Sequence, residues 1–467
     1  MHTLDLTIII CFLLAMAGYG IWQGQSNRTN DDYFLGGRNL PWIVAMFSIV
    51  ATETSVLTFV SVPGIAFRGD WTFLQLALGY IVGRILVSAI LLPIYFREGV
   101  DSIYEVIGRR FGHNMQKLAS MVFLVTRIFA DGVRFLATAV VVEVVTGWPL
   151  GVSVLVIGIV TLVYTLAGGI RTIVWIDSVQ FILYLFGGII TIAFIASNLP
   201  VGFPEALANL AHEQKLKVID FGWNIFSEPW TFFSAFIGGI LLSLGSHGVD
   251  YMLVQRVLGC RNLSAARKAM IGSGVFVFLQ FAVFLLAGSL IYLFIGDMQV
   301  EKDREFASFI VNHLPVGLKG LLLAGVLSAA MSTLSSSINS LASSTVTDLL
   351  GGNTTLNRSK LISFGWAAVL IGIALVFDEN DTTIIEIGFT IASYTYGGLL
   401  GLFLLSKSNK QFHAISLAMG LLSSLGTVWI LAYAGFAWTW FIIASVLVNL
   451  LVVWTVEGIF AGTGGKR

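Results

Sequence analysis

The sequence predicts an all-α polytopic membrane protein with about thirteen transmembrane helices, and three observations carry that prediction. Of its 467 residues, 57% are hydrophobic and 11% charged, with a mean hydropathy of +0.88. A water-soluble domain carries about 25% charged residues, so most of this surface faces lipid. Apolar stretches long enough to cross about 30 Å of hydrocarbon as helices recur along the whole chain. The basic residues collect between those stretches, as they do where loops rather than spans meet water.

Span 1 covers 4–24; it has neither a basic leader nor a small-residue cleavage signal and reads as a retained span rather than a secretory signal. Span 2 covers 40–67 and is interrupted by the polar stretch Ala51-Thr52-Glu53-Thr54-Ser55. Span 3 is 72–96, and span 4, 117–146, carries Arg127, Asp131 and Arg134. Spans 5 and 6, 149–167 and 172–198, are separated by Gly168-Gly169. Span 7, 230–256, is interrupted at Gly238-Gly239 and again over Ser243–Gly248. Span 8 is 266–296, span 9 is 317–349, and spans 10 to 13 are 359–378, 382–405, 412–435 and 438–461.

An odd number of spans puts the termini on opposite sides. With the C-terminus cytoplasmic, and basic residues at the soft span ends counted with the adjoining loops, seventeen Lys/Arg fall on the inside segments and six outside (Arg68, Lys215, Lys217, Lys302, Arg304, Lys319), so the N-terminus is expected outside. The loops are too poor in apolar residues for a separate soluble domain, and a single membrane domain over 1–467 is expected. Setting aside span 1 and the last two spans, 412–461, leaves ten. These divide into two fives of opposite orientation, a first repeat over about 40–198 and a second over about 230–405. The first helix of each five is the interrupted one, which is the arrangement of broken helices whose freed carbonyls bind ions and solute at mid-membrane.

Composition also excludes functions. A formal net charge of zero and a pI near 7.0 are not those of a nucleic-acid binder. The two cysteines, Cys11 and Cys260, fit neither a disulfide framework nor a zinc site and are assigned to packing. No catalytic triad or phosphate-cradling loop stands out, so neither an enzyme nor an ATP-driven pump is expected.

Four sets of residues can carry chemistry. On span 9, Ala329, Ser332, Thr333, Ser335, Ser336 and Asn339 share one helical stripe. Hydroxyls with freed carbonyls suit a hard cation such as sodium, and small residues in a stripe equally suit close helix packing. Asp177, near the cytoplasmic end of span 6, could bind a cation, line its exit, or pair with Arg171. Arg127 could hold a carboxylate-bearing solute bidentately or belong to a salt-bridge cluster with Asp131, Glu53 or Glu143. His247 and Asp250 could form a proton relay or be satisfied polar residues.

Asp31-Asp32-Tyr33-Phe34-Leu35-Gly36-Gly37-Arg38, Gly168-Gly169 followed by Trp175-Ile176-Asp177-Ser178-Val179-Gln180, and Val254-Gln255-Arg256 resemble signature segments of the sodium/solute symporter family. The resemblance runs from about residue 5 to about 440. It implies the LeuT-type fold of two inverted five-helix repeats. It implies a sodium ion held by backbone carbonyls of Ala51, Thr54 and Ala329 with the hydroxyls of Ser332 and Thr333. A second sodium would use Asp177, Ser332, Ser335 and Ser336. The solute pocket maps by resemblance onto Ser55, Thr58, Phe73, Gln75 and Asp250, with Arg127 as the carboxylate-holding arginine. Leu57-Thr58 replaces the glutamate–glutamine pair of sugar carriers, and Gly398 stands where many relatives have proline, so a carboxylated solute is favoured over a sugar.

The function expected is import of a small organic solute with one or two sodium ions by alternating access, at the cell membrane. The alternatives are a proton-coupled carrier of the same fold and a transporter-like membrane sensor.

Overall fold

The computed structural model describes residues 2–54, 56–296, 302, 304–376 and 384–462. Helix α1 (Thr3–Gly24) is span 1 and lies at the periphery, with only 17% of its apolar window buried. The short α2 (Asn30–Leu35) is started by a capping box, in which the Thr29 hydroxyl accepts from the Asp32 N–H while the Asp32 carboxylate accepts from the Thr29 N–H. Span 2 is a broken helix, α3 (Trp42–Glu53) and α4 (Val56–Arg68), bent by 62° at the polar interruption. Span 3 is α5 (Leu74–Ile90) continued by α6 (Leu92–Glu98), and α7 (Tyr104–Phe111) leads into span 4, α8 (His113–Thr146).

Spans 5 and 6 form one run of 49 residues, α9 (Leu150–Asn198). At 1.5 Å per residue this is about 74 Å, more than twice the hydrocarbon thickness. Gly169, at φ 62 and ψ −165, cuts it into two spans. A Cβ there would lie 2.6 Å from the Tyr33 carbonyl oxygen, so both the backbone conformation and the approach of the signature tyrosine require glycine.

After α10 (Phe203–His212), span 7 is broken into α11 (Phe232–Gly248) and α12 (Tyr251–Leu258), again bent by 62°. The break falls at Val249-Asp250, immediately after the second of the two expected interruptions. Gly238-Gly239 stays helical: a Cβ on Gly239 would meet the Leu76 oxygen at 2.2 Å, and one on Gly79 the Phe236 oxygen at 2.3 Å, so these glycines let α11 lie close against α5. The chain continues through α13 (Leu263–Ile295), α14 (Glu305–His313), α15 (Leu318–Ser344), α16 (Leu356–Val376), α17 (Ile384–Ser406), α18 (Ala414–Tyr433) and α19 (Phe441–Gly462). The expected ends of spans 10 and 11 at 377–378 and 382–383 lie outside the described residues.

Helix α15, span 9, is the axis of the bundle, since 94% of its apolar window is buried. Its start is tied to α1, where Asp5 Oδ1 accepts from the N–H groups of Gly317 (2.7 Å) and Gly320 (2.9 Å). The same face carries Arg68 paired with Glu305, and Lys215 donating to the Phe67 carbonyl at 2.8 Å. At the opposite face, Arg38 pairs with Asp101, Arg110 donates to the carbonyls of Ser408 and Lys410, and the His413 N–H donates to Glu457.

Candidate functional site

Where α3 ends at Glu53, its last carbonyls lose the continuing helix that would bond them, and the negative end of its dipole points into the protein. Ala51 and Thr54 belong to this end; the Thr54 N–H closes the helix on the Val50 carbonyl at 2.9 Å. The end of α3 abuts the α15 stripe, with Thr52 Oγ1 3.2 Å from Ser336 Oγ. Ala329, Ser332, Thr333, Ser335 and Ser336 are all buried on α15. The Ser332 carbonyl accepts from the Ser335 and Ser336 hydroxyls at 3.1 and 2.7 Å. The Ser332 hydroxyl itself is buried with no hydrogen-bond partner among the described residues.

Asp177 stands across from this stripe on the second half of α9, fully buried. One oxygen, Oδ2, accepts from Ser48 (2.6 Å) and Thr52 (3.4 Å) and pairs with Arg256 at 3.3 Å. The other, Oδ1, makes no well-formed hydrogen bond among the described residues, and the Ser332 hydroxyl stands close enough to the carboxylate to act as its donor. An unmade bond on a buried oxygen costs about 1–3 kcal/mol. The two oxygens lie on neighbouring helices, α9 and α15, among the hydroxyls of Ser48, Thr52, Ser335 and Ser336.

The partner of Asp177 is Arg256 of the Val254-Gln255-Arg256 segment, not Arg171, which is exposed at the helix surface. Arg256 also donates to Ser48 (2.8 Å), the Met252 carbonyl (2.5 Å) and Ser336. It therefore knits α12, α3, α9 and α15 together. Gln255 adds bonds to the Phe34 carbonyl and Asn339, both at 2.9 Å, and the Tyr251 hydroxyl lies 2.8 Å from Ser343 Oγ.

Beside both breaks is a small cavity of about 40 Å³, lined by Thr52, Glu53, Tyr80, Arg127, Arg134, Leu242, Ser246, Met252, Leu253 and Tyr396. Arg127 is buried and pairs with Asp131 (3.0 Å) and with Asp250, and it donates to the Tyr396 hydroxyl at 2.5 Å. Asp250 caps the start of α12 by accepting from the Met252 N–H at 3.0 Å. Glu53 does not pair with Arg127: its partners are Arg84 and His247, the latter at 3.6 Å.

The structure thus gathers Asp177, Ser332, Ser335, Ser336, Thr333, Ala329 and the α3 end into one region, and Arg127 and Asp250 into a second beside it. Thr58 is buried on α4. Phe73 and Gln75 sit elsewhere: the Phe73 ring packs on Trp230 and Phe281, and the Gln75 amide donates to the Trp230 carbonyl at 2.8 Å while accepting from the Asp220 N–H at 3.0 Å. Ser55 lies outside the described residues. His247 and Asp250 do not form a hydrogen-bonded pair, because the break between them turns one toward Glu53 and Ser246 and the other toward Arg127. Arg84 and Tyr396 escaped the sequence reading, which named Arg256 within a signature segment but gave it no partner. An intramembrane arginine is costly enough to signal a partner, and that signal was available for Arg84.

The profile of the sodium:solute symporter family matches residues 33–414, most of the chain, and the chain belongs to that family. It is accordingly a multi-pass membrane carrier that couples solute movement to sodium, not an enzyme. Its sequence is 28% identical over 422 residues to the human sodium/iodide cotransporter, covering 86% of this chain and 65% of that one. It is 26% identical over 452 residues to the sodium/sialic acid symporter NanT of Aliivibrio fischeri, covering 91% and 87%, and 26% identical to mouse sodium-coupled monocarboxylate transporter 2, covering 86% and 67%. In fold it is similar to the substrate-bound outward-open Na+-coupled sialic acid symporter, with a TM-score of 0.89 over 98% of both chains at 23% identity. It is also similar to the nucleobase-cation symporter Mhp1, with a TM-score of 0.56 over 92% of this chain and 96% of that one. The architecture is the LeuT type.

Proposed function

We propose that, within sodium-coupled solute import by alternating access, this chain carries a small organic solute bearing a carboxylate, and that its sodium is held between the end of α3 and the α15 stripe. The carbonyls of Ala51, Thr54 and Ala329 and the hydroxyls of Ser332 and Thr333 form one station. Asp177 Oδ1 with Ser332, Ser335 and Ser336 forms a second, nearer the cytoplasm. The observation that carries the reading is the pair of buried oxygens, Asp177 Oδ1 and Ser332 Oγ, which lie near one another and have no other hydrogen-bond partner among the described residues. The solute occupies the cavity beside the breaks, widened from the about 40 Å³ of this form, with Arg127 and Asp250 behind it.

The N-terminus is outside and the C-terminus cytoplasmic, with spans 2–6 and 7–11 as the two repeats and span 1 and 412–461 added around them. Sodium stabilises the form in which Arg256, Gln255 and Tyr251 close the cytoplasmic side. Its departure loosens α3 and α15 from one another and lets that side open.

A thermal-shift screen of small carboxylates, sugars and amino acids, with and without sodium, identifies the solute, and uptake into proteoliposomes under an inward sodium gradient then tests coupling. Ser332→Ala with Thr333→Ala should abolish sodium-driven accumulation. Unchanged accumulation in that variant, or no sodium-dependent binder among carboxylates, refutes the assignment. Uptake that ignores sodium and collapses with the pH gradient would instead favour protons moving through Glu53 and His247.

A further inference from the structure

Three guanidiniums approach the solute cavity or the ion pairs on its wall, and they are not equally satisfied. Arg84 is buried against Glu53 and also donates to Ser273 at 2.7 Å. Arg127, assigned by resemblance to hold a carboxylate, is already held by two carboxylates and a tyrosine hydroxyl. Arg134 lines the same cavity with a side chain 16% exposed, and its ion-pair distance is 3.9 Å, to an Asp131 oxygen that Arg127 holds at 3.0 Å. The second Asp131 oxygen is engaged by Ser337 at 2.6 Å. Asp131 therefore has little left to give Arg134.

Position along α8 adds to this. Arg134 lies seven residues beyond Arg127 on the same helix face, about 10 Å farther toward the outer end. An incoming anion meets Arg134 before it reaches Arg127, and docking there leaves the Arg127–Asp250 pair intact. Displacing Asp250 instead would strand a carboxylate that is 1% exposed without its guanidinium partner. Among the cavity-lining groups and their ion-pair partners, three guanidiniums face three carboxylates, so an arriving monoanion needs the charge of a co-bound sodium for balance.

We propose that Arg134, rather than Arg127, is the anion receptor of the cavity, taking the charged group of a small monoanion, a carboxylate foremost, while Arg127 positions Asp250 and the start of α12. This rests on the cavity being the solute site. Leu242, Met252 and Leu253 then face the solute's apolar body, and Tyr80 and Ser246 its polar substituents.

Phenylglyoxal, which modifies accessible guanidiniums, tests the proposal without knowledge of the solute. Full-length protein in nanodiscs in sodium sulfate is labelled and mapped by peptide mass spectrometry, with acetate, pyruvate and iodide as probes and glucose as the neutral control. Arg134 should label about tenfold faster than Arg127, and at least one monoanion, but not glucose, should slow it. Faster labelling of Arg127, protection by glucose alone, or no protection by any monoanion overturns the proposal. In a second arm, Arg134→Gln should lose the monoanion-dependent thermal shift and Arg134→Lys should keep part of it; a wild-type shift in Arg134→Gln also overturns it. Anion protection that persists without sodium would sink the sodium reading and leave this one standing.

Discussion

Replacing Arg256 with methionine keeps an apolar stem of similar length and removes the charge that sits 3.3 Å from Asp177 Oδ2, both side chains being fully buried. The variant also loses the donations to Ser48, the Met252 carbonyl and Ser336. Asp177 keeps Ser48 and Thr52 as donors but becomes an uncompensated buried carboxylate. Breaking such a pair from one side costs about 3–5 kcal/mol. Sodium at about a hundred times its dissociation constant supplies about 2.7 kcal/mol, so a cation bound at Asp177 Oδ1 should restore much of the loss. The apparent melting temperature of Arg256→Met, read by intrinsic fluorescence, should therefore fall sharply in choline buffer and recover in sodium by more than wild type does. Asp177→Asn combined with Arg256→Met should fall short of the sum of the single effects by about 2–3 kcal/mol. Strict additivity, or a sodium response no larger than that of wild type, would refute both the pairing and the second ion station.

Gly169→Ala should cost about 1–3 kcal/mol from its backbone conformation alone, with the Tyr33 clash added; an undiminished yield and melting temperature would show that the break does not need glycine. Thr29→Ala should destabilise α2 by about 1 kcal/mol through loss of the capping box, measured as a lower melting temperature. The capping carboxylate gives this a pH dependence. Burial opposes the Asp32 charge, but donation from the Arg28 and Thr29 N–H groups and the Thr29 hydroxyl outweighs it and holds the carboxyl below its usual range. A depressed folded value means the contribution is complete above about pH 4 and vanishes as pH falls through the lower folded value. Thr29→Ala should therefore lose part of its effect in the acid limb of a melting-temperature profile, keeping the share owed to the bond from the Asp32 N–H, and a difference undiminished there would argue against the carboxylate's part in the cap.

Much of the fold was legible because the bilayer leaves few options: a segment inside it must be apolar and must satisfy its own backbone bonds as a helix. The interruption in span 2 was readable because Thr52-Glu53-Thr54 has no business in hydrocarbon unless the helix breaks there. Span 7 was harder, since glycine marks both a break and a close approach; Gly238-Gly239 turned out to be the second and Gly248 the neighbour of the first. Ion pairing was scarcely legible. Asp177 and Arg256 stand 79 residues apart and meet through the rotation of two helices, whereas His247 and Asp250, three apart, are turned away from each other by the break between them.

The sequence by itself determined a polytopic α-helical membrane protein, because apolar runs long enough to span a bilayer are local facts of composition, and its signature segments, through their resemblance to sodium/solute symporters, named the ion. Only the tertiary structure decided which arginine answers which carboxylate. Those assignments depend on how helices from both halves of the chain are turned around α15, and a shift of one residue rotates a helical side chain by about 100°. That rotation leaves Arg127 occupied, Arg134 available and one oxygen of Asp177 open.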